Sequence, residues 1–373
     1  MNNTFTETNR ISYGGNIKNA FGGMIIGFIL FIASFFILWI NEGHSAHQIQ
    51  IADYIYKNAI PVTAESVNRA NDNKLISTSA EAKTQETLSD NNISLNSVLV
   101  LERKVEMYQW VEDQTTSQQQ DMGGSTTETT TYSYTKEWTE DEVNSKNFHK
   151  SGYVNPPFII KSQRYNAKLG NLGAFKLTET QTSRIDELTA YSSLPPNAKY
   201  QSVDGMYYKG LDYSNPQVGD VRISYSYVPS GTQISVIGEQ KYDNSIVPMP
   251  SKSGNIYVQY DGLYTKDEMI EKFRHDNNVI TWIFRVVGWL VMFFGLRLIV
   301  GPLVAFAGIL PLLSNIIDFV TGTVIFAVSL TLSLITIGIA WFAYRPVQSI
   351  ILFAVVVIII VLTTSYISKM KTK

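Results

Sequence analysis

The sequence predicts an α+β membrane protein with four transmembrane helices, one N-terminal and three C-terminal, and a large β-rich extracytoplasmic domain between the first and the second. Three observations support this fold class. Long stretches near both ends of the 373-residue chain contain no charged residue. The segment between them, residues 41–278, is polar and carries charges of both signs. Strand and turn patterns recur through that segment, whereas helical patterns are scarce.

Composition excludes several classes of function. The net charge is −2, and Lys and Arg cluster only at Lys369, Lys371 and Lys373, so we expect no nucleic-acid partner. The chain has no cysteine, which excludes disulfides, thiolate catalysis and Cys-ligated metals. Packing and hydrogen bonds alone must therefore stabilise the polar domain.

The first apolar stretch, residues 21–40, is predicted to be transmembrane helix 1, preceded by a cytoplasmic tail of residues 1–20. About 20 apolar residues are enough to cross the hydrocarbon core, and they exceed the apolar region of a cleaved signal. Cleavage near Ser45 is the alternative, but a convincing small-residue site is missing. The predicted exit from the membrane consists of Trp39, Asn41, Glu42 and Gly43.

Three more helices are predicted near the C-terminus, at residues 279–300, 321–344 and 347–367, before a basic cytoplasmic tail at 368–373. Helix 2 contains Arg285 and Arg297 near its ends, where their side chains can reach the membrane interfaces. We favour this anchoring role over an ion pathway. A tight break between helices 3 and 4 is predicted at Tyr344, Arg345 and Pro346.

Residues 301–320 are predicted to be an interfacial or re-entrant connection, because Pro302 and Pro311 lie too close together to bound a span. Asp318 is expected to cap helix 3 at the interface, with a pore or proton-relay group as the alternative. A fifth span would place the two tails on opposite sides. Both tails are basic, which favours an even number of spans and two cytoplasmic tails.

Two β-hairpins are predicted in the polar domain. The first joins residues 98–111 to 127–138 through a polar tip at Gly123 and Gly124, and the second joins residues 221–228 to 233–237. Helical patterns occur at residues 46–60 and after Thr265. Thr265 and Glu268 form a capping box, and the helix that they open continues without Gly or Pro into helix 2.

Few residues suggest chemistry. His44 and His47 are three positions apart, so a helix would place both on one face, where they could bind a divalent metal. No further ligand follows at a recognisable spacing, and we favour polar interface residues over a metal site. Nucleophile-elbow, P-loop, dinucleotide and zinc-protease motifs are all missing from the sequence. We therefore expect no enzymatic activity and no cofactor.

Four separated stretches carry a family resemblance. They are LWINEGHSAH at the exit of helix 1, VEMYQWVED with GGSTTETTTYSYTKEW, YVNPP with LGAFKL and GDVRISYSYVPSGTQISVIGEQ, and FRVVGWLVMFFGLRLI with AWFAYRP. Their order and spacing, from about Ala20 to the C-terminus, resemble the transmembrane protein 43 (LUMA) family, and we expect a bacterial member of it.

The resemblance implies a four-span protein with cytoplasmic tails, a large domain on the other side of the membrane and no catalytic residues to carry over. If the chain is bacterial, it belongs in the plasma (inner) membrane. The leading hypothesis is an integral membrane scaffold whose partners are lipids, other membrane proteins and further copies of itself in a homo-oligomer. The rival is a channel or transport component in which polar residues of the C-terminal helices face an aqueous path. A hydrolase has no supporting residues.

Overall fold

The computed structural model describes residues 3–307, 311–346 and 350. The chain divides into two compact units. The β unit comprises Met1–Glu7, Ile51–Ser117 and Thr129–Phe273. The helical unit comprises Thr8–Gln50, Gln118–Glu128 and Arg274–Lys373. The predicted fourth helix, residues 347–367, and the tail at 368–373 lie outside the described residues, apart from residue 350.

Long helices occupy the two ends of the described chain. The helices are α1 (Tyr13–Asn58), the short α2 (Glu179–Thr182), α3 (Lys266–Ala307) and α4 (Pro311–Tyr344). Among the described residues, three segments are long and apolar enough to cross a membrane, namely Tyr13–Asn58, Lys266–Ala307 and Ile317–Tyr344. These segments confirm the predicted apolar helices 1 to 3, and all three extend beyond the predicted bounds.

Strands fill the polar segment, as predicted. The first ten are β1 (Thr4–Ile11), β2 (Ile60–Pro61), β3 (Leu75–Lys83), β4 (Thr87–Ser89), β5 (Ser94–Asn96), β6 (Val98–Gln120), β7 (Thr126–Thr139), β8 (Gln163–Asn166), β9 (Leu169–Leu172) and β10 (Phe175–Thr178). The others are β11 (Thr189–Tyr191), β12 (Gln201–Val203), β13 (Met206–Lys209), β14 (Val221–Pro229), β15 (Thr232–Gln240), β16 (Ile246–Val247), β17 (Met249–Ser251), β18 (Gly254–Ile256) and β19 (Val258–Asp261).

Most strands belong to two sheets. The first has the order β1-β7-β6-β14-β13-β12, and the second has the order β10-β9-β3-β15-β16. A buried apolar cluster joins the sheets within the β unit, because Leu99 and Val228 of the first sheet pack with Ile76, Ile234 and Val236 of the second. Side chains from two inner sheet faces commonly form a core in this way.

The first predicted hairpin is confirmed as β6 and β7, which are longer than expected. Its turn contains Gly123 and Gly124 with φ of +86° and +81°, a backbone region that glycine adopts without strain. The second predicted hairpin is wrong. Its strands exist as β14 and β15, but β14 pairs with β6, β11 and β13, whereas β15 pairs with β3, β16 and β19. The chain turns a corner between sheets at Gly231.

No strand was predicted in the N-terminal tail, residues 1–20, whereas residues Thr4–Ile11 form strand β1 at the edge of the first sheet. In the β unit, the backbone N–H of Tyr134 donates to the carbonyl of Asn3 at 2.8 Å. The Phe5 ring stacks on Tyr132 and His149, with centroids 6.4 and 5.4 Å away. Thr4 and Thr6 suit strand β1, since β-branched side chains pack well on a pleated surface.

The ends of two long helices pack into the β unit. Ile55 of α1 and Ile270 of α3 share a buried cluster with Leu75, Ile237 and Ile256. The predicted capping box at the start of α3 is confirmed. The Glu268 carboxylate accepts the Thr265 backbone N–H at 2.7 Å, and the Glu268 N–H donates to Thr265 Oγ1 at 3.3 Å.

Two segments are more helical than the sequence predicted. Helix α1 continues through Asn41, Glu42 and Gly43, the residues predicted to mark the exit from the membrane, and Asn41 and Glu42 bond to α3. Residues 301–320 were predicted to be a connection, but residues 301–307 complete α3 and α4 begins at Pro311. Proline is favoured at the first position of a helix, where its missing N–H has no intrahelical partner.

Glycines allow α1 and α3 to approach closely within the helical unit. A Cβ added at Gly27 would lie 2.7 Å from the carbonyl oxygen of Gly295, and one added at Gly295 would lie 2.8 Å from the backbone N of Phe31. Such contacts between small residues are typical of membrane helix packing. Farther along the pair, Gly288 faces Leu38 in the same way.

This contact predicts that Gly27→Val separates the two helices and lowers the free energy of unfolding by about 1–3 kcal/mol. Gly22→Val is the matched control, because it adds the same side chain to α1 where nothing lies within 4 Å. Unfolding of both variants in one detergent measures the difference. Equal stability of the two variants would contradict the packing of α1 on α3.

Candidate functional site in the helical unit

Charged side chains of the helical unit gather in two places, which we name the Glu42 cluster and the Arg297 cluster. The Glu42 cluster contains Glu42, Arg285 and Trp341, and the Arg297 cluster contains Arg297 and Asp318. Arg285 and Arg297 both belong to α3 and lie about 18 Å apart along its axis, at 1.5 Å per residue. Because α3 is apolar around both positions, each arginine needs a charged or hydrogen-bonding partner within the protein.

The carboxylate of Glu42 is the centre of the first cluster, and its side chain is fully buried. It accepts hydrogen bonds from Arg285 Nε at 2.6 Å, Arg285 Nη2 at 2.9 Å and Trp341 Nε1 at 2.6 Å. The bidentate contact with the guanidinium is among the strongest side-chain pairings in proteins. Because the three residues come from α1, α3 and α4, this carboxylate joins all three helices.

Arg285 was predicted to anchor helix 2 at a membrane interface, and in the structure its guanidinium pairs with Glu42. Its side chain is 11% exposed and lies beside the Trp282 ring, with the guanidinium carbon 4.8 Å from the ring centroid. A buried charge is tolerated when it is paired and hydrogen-bonded. Here Glu42 supplies that pairing from the neighbouring helix.

Further contacts surround this cluster. Asn41 Nδ2 donates to the carbonyl of Thr281 at 3.1 Å, which joins α1 to α3 a second time. Arg345 Nη2 donates to Ser45 Oγ at 2.9 Å. The predicted break after Tyr344 is confirmed as the end of α4, and Pro346 beyond it is exposed.

Gly43, Trp39 and Tyr344 form a close contact between α1 and α4. A Cβ at Gly43 would lie 2.8 Å from the ring of Tyr344, so only glycine allows the ring to pack there. The Trp39 and Tyr344 ring centroids are 5.7 Å apart. The predicted exit residues on α1 and the predicted break residues of α4 therefore meet in one place.

The Arg297 cluster is more open. Arg297 Nη2 lies 3.0 Å from Asp318 Oδ1, and Arg297 Nη1 donates to the Asp318 carbonyl at 3.2 Å. Their side chains are 33% and 45% exposed. Asp318 was predicted to cap helix 3, but it lies inside α4, seven residues after Pro311, so the capping role is wrong. Its carboxylate instead pairs with α3.

The tip of the β6–β7 hairpin, residues 118–128, belongs to the helical unit. Asn16 Nδ2 of α1 donates to the Gly124 carbonyl at 2.9 Å and to Thr126 Oγ1 at 2.8 Å. Arg10 Nη2 donates to Ser125 Oγ at 3.0 Å. The tip therefore contacts the N-terminal end of α1. Sequence reasoning missed this contact, since polar turn residues carry no signal for a partner.

A cavity of about 590 Å³ lies between the hairpin tip and the Arg297 cluster. Its polar lining includes Asn16, Gln118, Gln120, Thr126, Arg297 and Asp318. Leu298, Val304 and Ile325 contribute apolar surface. The polar residues that line the cavity therefore surround Arg297 and Asp318.

His44 and His47 are both exposed on α1. Glu42, the nearest carboxylate in sequence, is occupied by Arg285 and Trp341 and is not free to act as a third ligand. Within the described ranges, no group of three or more His, Cys, Asp or Glu side chains could hold a metal ion. His47 instead lies with its ring 6.4 Å from that of Tyr344.

The β unit contains its own buried charge. Asp90 and Arg103 form an ion pair with side chains 1% and 9% exposed, and Tyr165 donates to Asp90 Oδ1 at 2.8 Å. Burial raises the pKa of Asp90, but hydrogen bonds from Tyr225, Tyr165 and Arg103 outweigh it and hold the pKa below its ordinary value. Arg103 of β6 and Tyr225 of β14 therefore both bond to the loop that carries Asp90.

Apolar helices with internally paired charges, in one chain with a β-rich unit, define an integral membrane protein. The Transmembrane protein 43 family profile matches residues 107–346. Transmembrane protein 43 of Mus musculus is 29% identical over 342 residues, covering 87% of this chain and 85% of the relative. The Drosophila melanogaster homolog is 31% identical over 339 residues, covering 87% and 89%. The chain belongs to the transmembrane protein 43 family. No solved structure matches it significantly.

The Glu42 cluster predicts that Glu42→Ala lowers the free energy of unfolding by about 3–5 kcal/mol, because it leaves the Arg285 charge buried and unpaired. Glu42→Leu combined with Arg285→Met should recover part of that loss. The control is Glu81→Ala. The partner of Glu81, Lys83, is 64% exposed, so this substitution should lower the free energy of unfolding by at most about 1 kcal/mol. If Glu42→Ala and Glu81→Ala unfold alike in one detergent, the cluster does not stabilise the bundle.

The lowered pKa of Asp90 predicts acid sensitivity of the β unit. Because the folded pKa lies below the ordinary value of about 4, the stabilisation is complete above pH 4 and is lost as the pH falls further. Asp90→Asn should be less stable at pH 7 and should lose less stability between pH 5 and pH 3. Urea midpoints followed by tryptophan fluorescence measure this, with Glu81→Gln as control. An unchanged pH slope in Asp90→Asn would contradict the assignment.

Proposed function

We propose that this protein is an integral membrane scaffold that acts through self-association and through protein partners of its β-rich unit. The observation that carries the proposal is the Glu42 cluster. Glu42, Arg285 and Trp341 use their hydrogen-bonding groups on one another across three helices. Such a network fixes the arrangement of the helices and keeps the Glu42 carboxylate fully hydrogen-bonded by Arg285 and Trp341.

The proposal includes the predicted membrane arrangement. Four spans, a cytoplasmic N-terminal end of α1, a cytoplasmic C-terminal tail and an extracytoplasmic β unit are supported by the apolar stretches and by the basic residues near both ends of the sequence. If the chain is bacterial, the membrane is the plasma (inner) membrane. The exposed faces of α1, α3 and α4 carry large apolar side chains, including Ile25, Ile29, Phe284 and Ile339, which suit contact with lipid or with another helix.

A channel or transport component is the second candidate, and the cavity beside Arg297 and Asp318 is the observation that favours it. The cavity is polar and lies at one end of the bundle. Reconstituted protein distinguishes the two candidates. The channel hypothesis requires an ion flux in liposomes that Asp318→Asn alters, whereas a scaffold gives no flux for either protein. Asp318 suits this test because its side chain is 45% exposed, so its loss disturbs packing less than the loss of Glu42.

Self-association gives the main prediction of the scaffold proposal. After mild extraction, light scattering with the detergent subtracted should give a discrete multiple of the 41.9 kDa chain mass. Mass spectrometry of the same sample identifies any protein that is extracted with it. The mass should persist on dilution, because association within the membrane layer buries helix surface without exposing charge. A bare monomer with no bound protein at every concentration would contradict the scaffold.

A further inference from the structure

An apolar groove of about 400 Å³ lies between α1 and α4 within the helical unit, and we name it the α1–α4 groove. Its lining residues belong to these two helices alone. Most are aromatic or aliphatic, namely Phe35, Phe36, Trp39, Leu332, Ile335 and Ile339. The remaining one, Thr336, donates its hydroxyl to the carbonyl of Leu332 at 2.7 Å and therefore offers the groove no free donor.

The lining residues recur at helical spacing on each wall. Leu332, Ile335 and Ile339 lie three or four positions apart and so form one stripe along α4. Phe36 and Ile335 are 62% and 51% exposed, so both walls of the groove are open to whatever surrounds the helices. A stripe of this kind on a membrane helix suits contact with lipid or with another helix.

The first two long helices run in opposite directions. Gly27 of α1 faces Gly295 of α3, and farther along α1, Asn41 bonds to Thr281, which precedes Gly295. Residue numbers therefore rise along α1 where they fall along α3. Helix α3 covers one side of α1, and the groove, which no α3 residue lines, lies on another side.

Helix α4 is antiparallel to α3 in the same way. Trp289 Nε1 donates to Ser329 Oγ at 3.1 Å, and Arg297, farther along α3, pairs with the earlier residue Asp318. Helices α1 and α4 consequently run in the same direction. In an up-and-down bundle each helix has antiparallel neighbours. The helix that fits the α1–α4 groove is therefore one that runs antiparallel to both walls.

The chain itself continues from α4 with an apolar segment, residues 347–367, which lies outside the described residues. It contains no charged residue and is long enough to cross a hydrocarbon core. Helix α4 ends at Tyr344, and Arg345 makes a last helical bond to the carbonyl of Trp341 at 2.7 Å. Pro346 then has no N–H to continue the helix. A connection this short makes consecutive helices antiparallel neighbours.

The depth of the groove matches the sequence of this segment. Ile339 and Leu332 lie 5 and 12 residues before Tyr344, or about 8–18 Å from the end of α4 at about 1.5 Å per residue. An antiparallel helix that starts at residue 347 reaches the same depths at residues 352–359. Those residues are LFAVVVII, with no polar side chain, so they match the apolar walls.

We propose that residues 347–367 form the fourth helix of the bundle and lie in the α1–α4 groove, antiparallel to both of its walls. The proposal rests on the four-span arrangement given under the proposed function. Close contact of Phe36, Ile335 and Ile339 with the LFAVVVII stretch supplies the van der Waals packing that drives helix association in lipid. The competing occupants are a lipid chain and a helix of a second copy.

The cysteine-free chain allows a direct test, because only engineered thiols can link. Phe36→Cys is combined in turn with a cysteine at each of residues 352–359, and native membranes are oxidised mildly. We expect a disulfide within one chain at about two or three of these positions, three or four residues apart, since such positions share a helix face. Mass spectrometry of the linked peptides identifies them. Phe284→Cys, which is exposed on α3 outside the groove lining, is the control and should stay unlinked.

Ile335→Cys tests the other wall with the same eight partners and should link to positions on the adjoining face of the segment. Links to Ile335→Cys without any link to Phe36→Cys overturn the proposal, because the segment would then pack elsewhere on α4. Links between two chains, at twice the mass of 41.9 kDa, also overturn it and identify a second copy as the occupant. If neither wall links in protein that keeps its unfolding temperature, lipid fills the groove and the proposal fails.

A separate measurement tests the four spans on which the proposal rests. Asn19→Cys and Lys371→Cys, as single thiols, are exposed to a membrane-impermeant maleimide in intact cells and in opened membranes. Both should react on the same side. Reaction on opposite sides overturns the four-span arrangement and the groove placement together. Reaction on one side without links to Phe36→Cys overturns the groove placement alone, and the scaffold proposal is still decided by the oligomer mass.

Discussion

The arrangement of the helical unit depends on one carboxylate in an apolar environment. The Glu42 side chain is fully buried, and leaving its charge without partners would cost several kcal/mol. Rotating α1 by one residue turns the side chain by about 100°, which would remove it from Arg285 and Trp341. The requirement to satisfy Glu42 therefore fixes the rotation of α1 against both other helices. The close glycine contacts between α1 and α3 then follow from that rotation, since Gly27 and Gly295 must face each other.

Local signals in the sequence predicted the elements well, whereas partners far along the chain were missed. The capping box at Thr265 needs two residues three positions apart, and it was found correctly. Glu42 and Arg285 are 243 positions apart, and no periodicity links them. Each was interpreted alone, one as an exit residue and the other as an anchor. An acidic residue at the end of one apolar stretch and a basic residue in another are the only sequence signal that could have suggested the pair.

The sequence also predicted the strands better than it predicted which strands pair. Alternation identified the strands at residues 221–228 and 233–237, but a strand of alternating residues has two edges and fits many neighbours. The ladder of β14 with β6 runs from Val221 opposite Met107 to Pro229 opposite Val98, and β15 has a similar ladder with β3. These long ladders outweigh a short hairpin, so the turn at Gly231 became a corner between sheets. Strand β1 was missed because an edge strand forms only where a neighbour, here β7, supplies its hydrogen bonds.

The two charged clusters satisfy their charges by different means. Arg285 and Glu42 are 11% and 0% exposed, so each depends on direct hydrogen bonds from its partner. Arg297 and Asp318 are 33% and 45% exposed, although Arg297 lies ten residues before the end of α3 at Ala307. A pair this open so far inside an apolar helix needs polar surroundings, because lipid offers no hydrogen bonds. Gln118, Gln120 and Thr126 line the cavity beside it, and all three belong to the hairpin tip. The tip therefore supplies polar surroundings for this open ion pair.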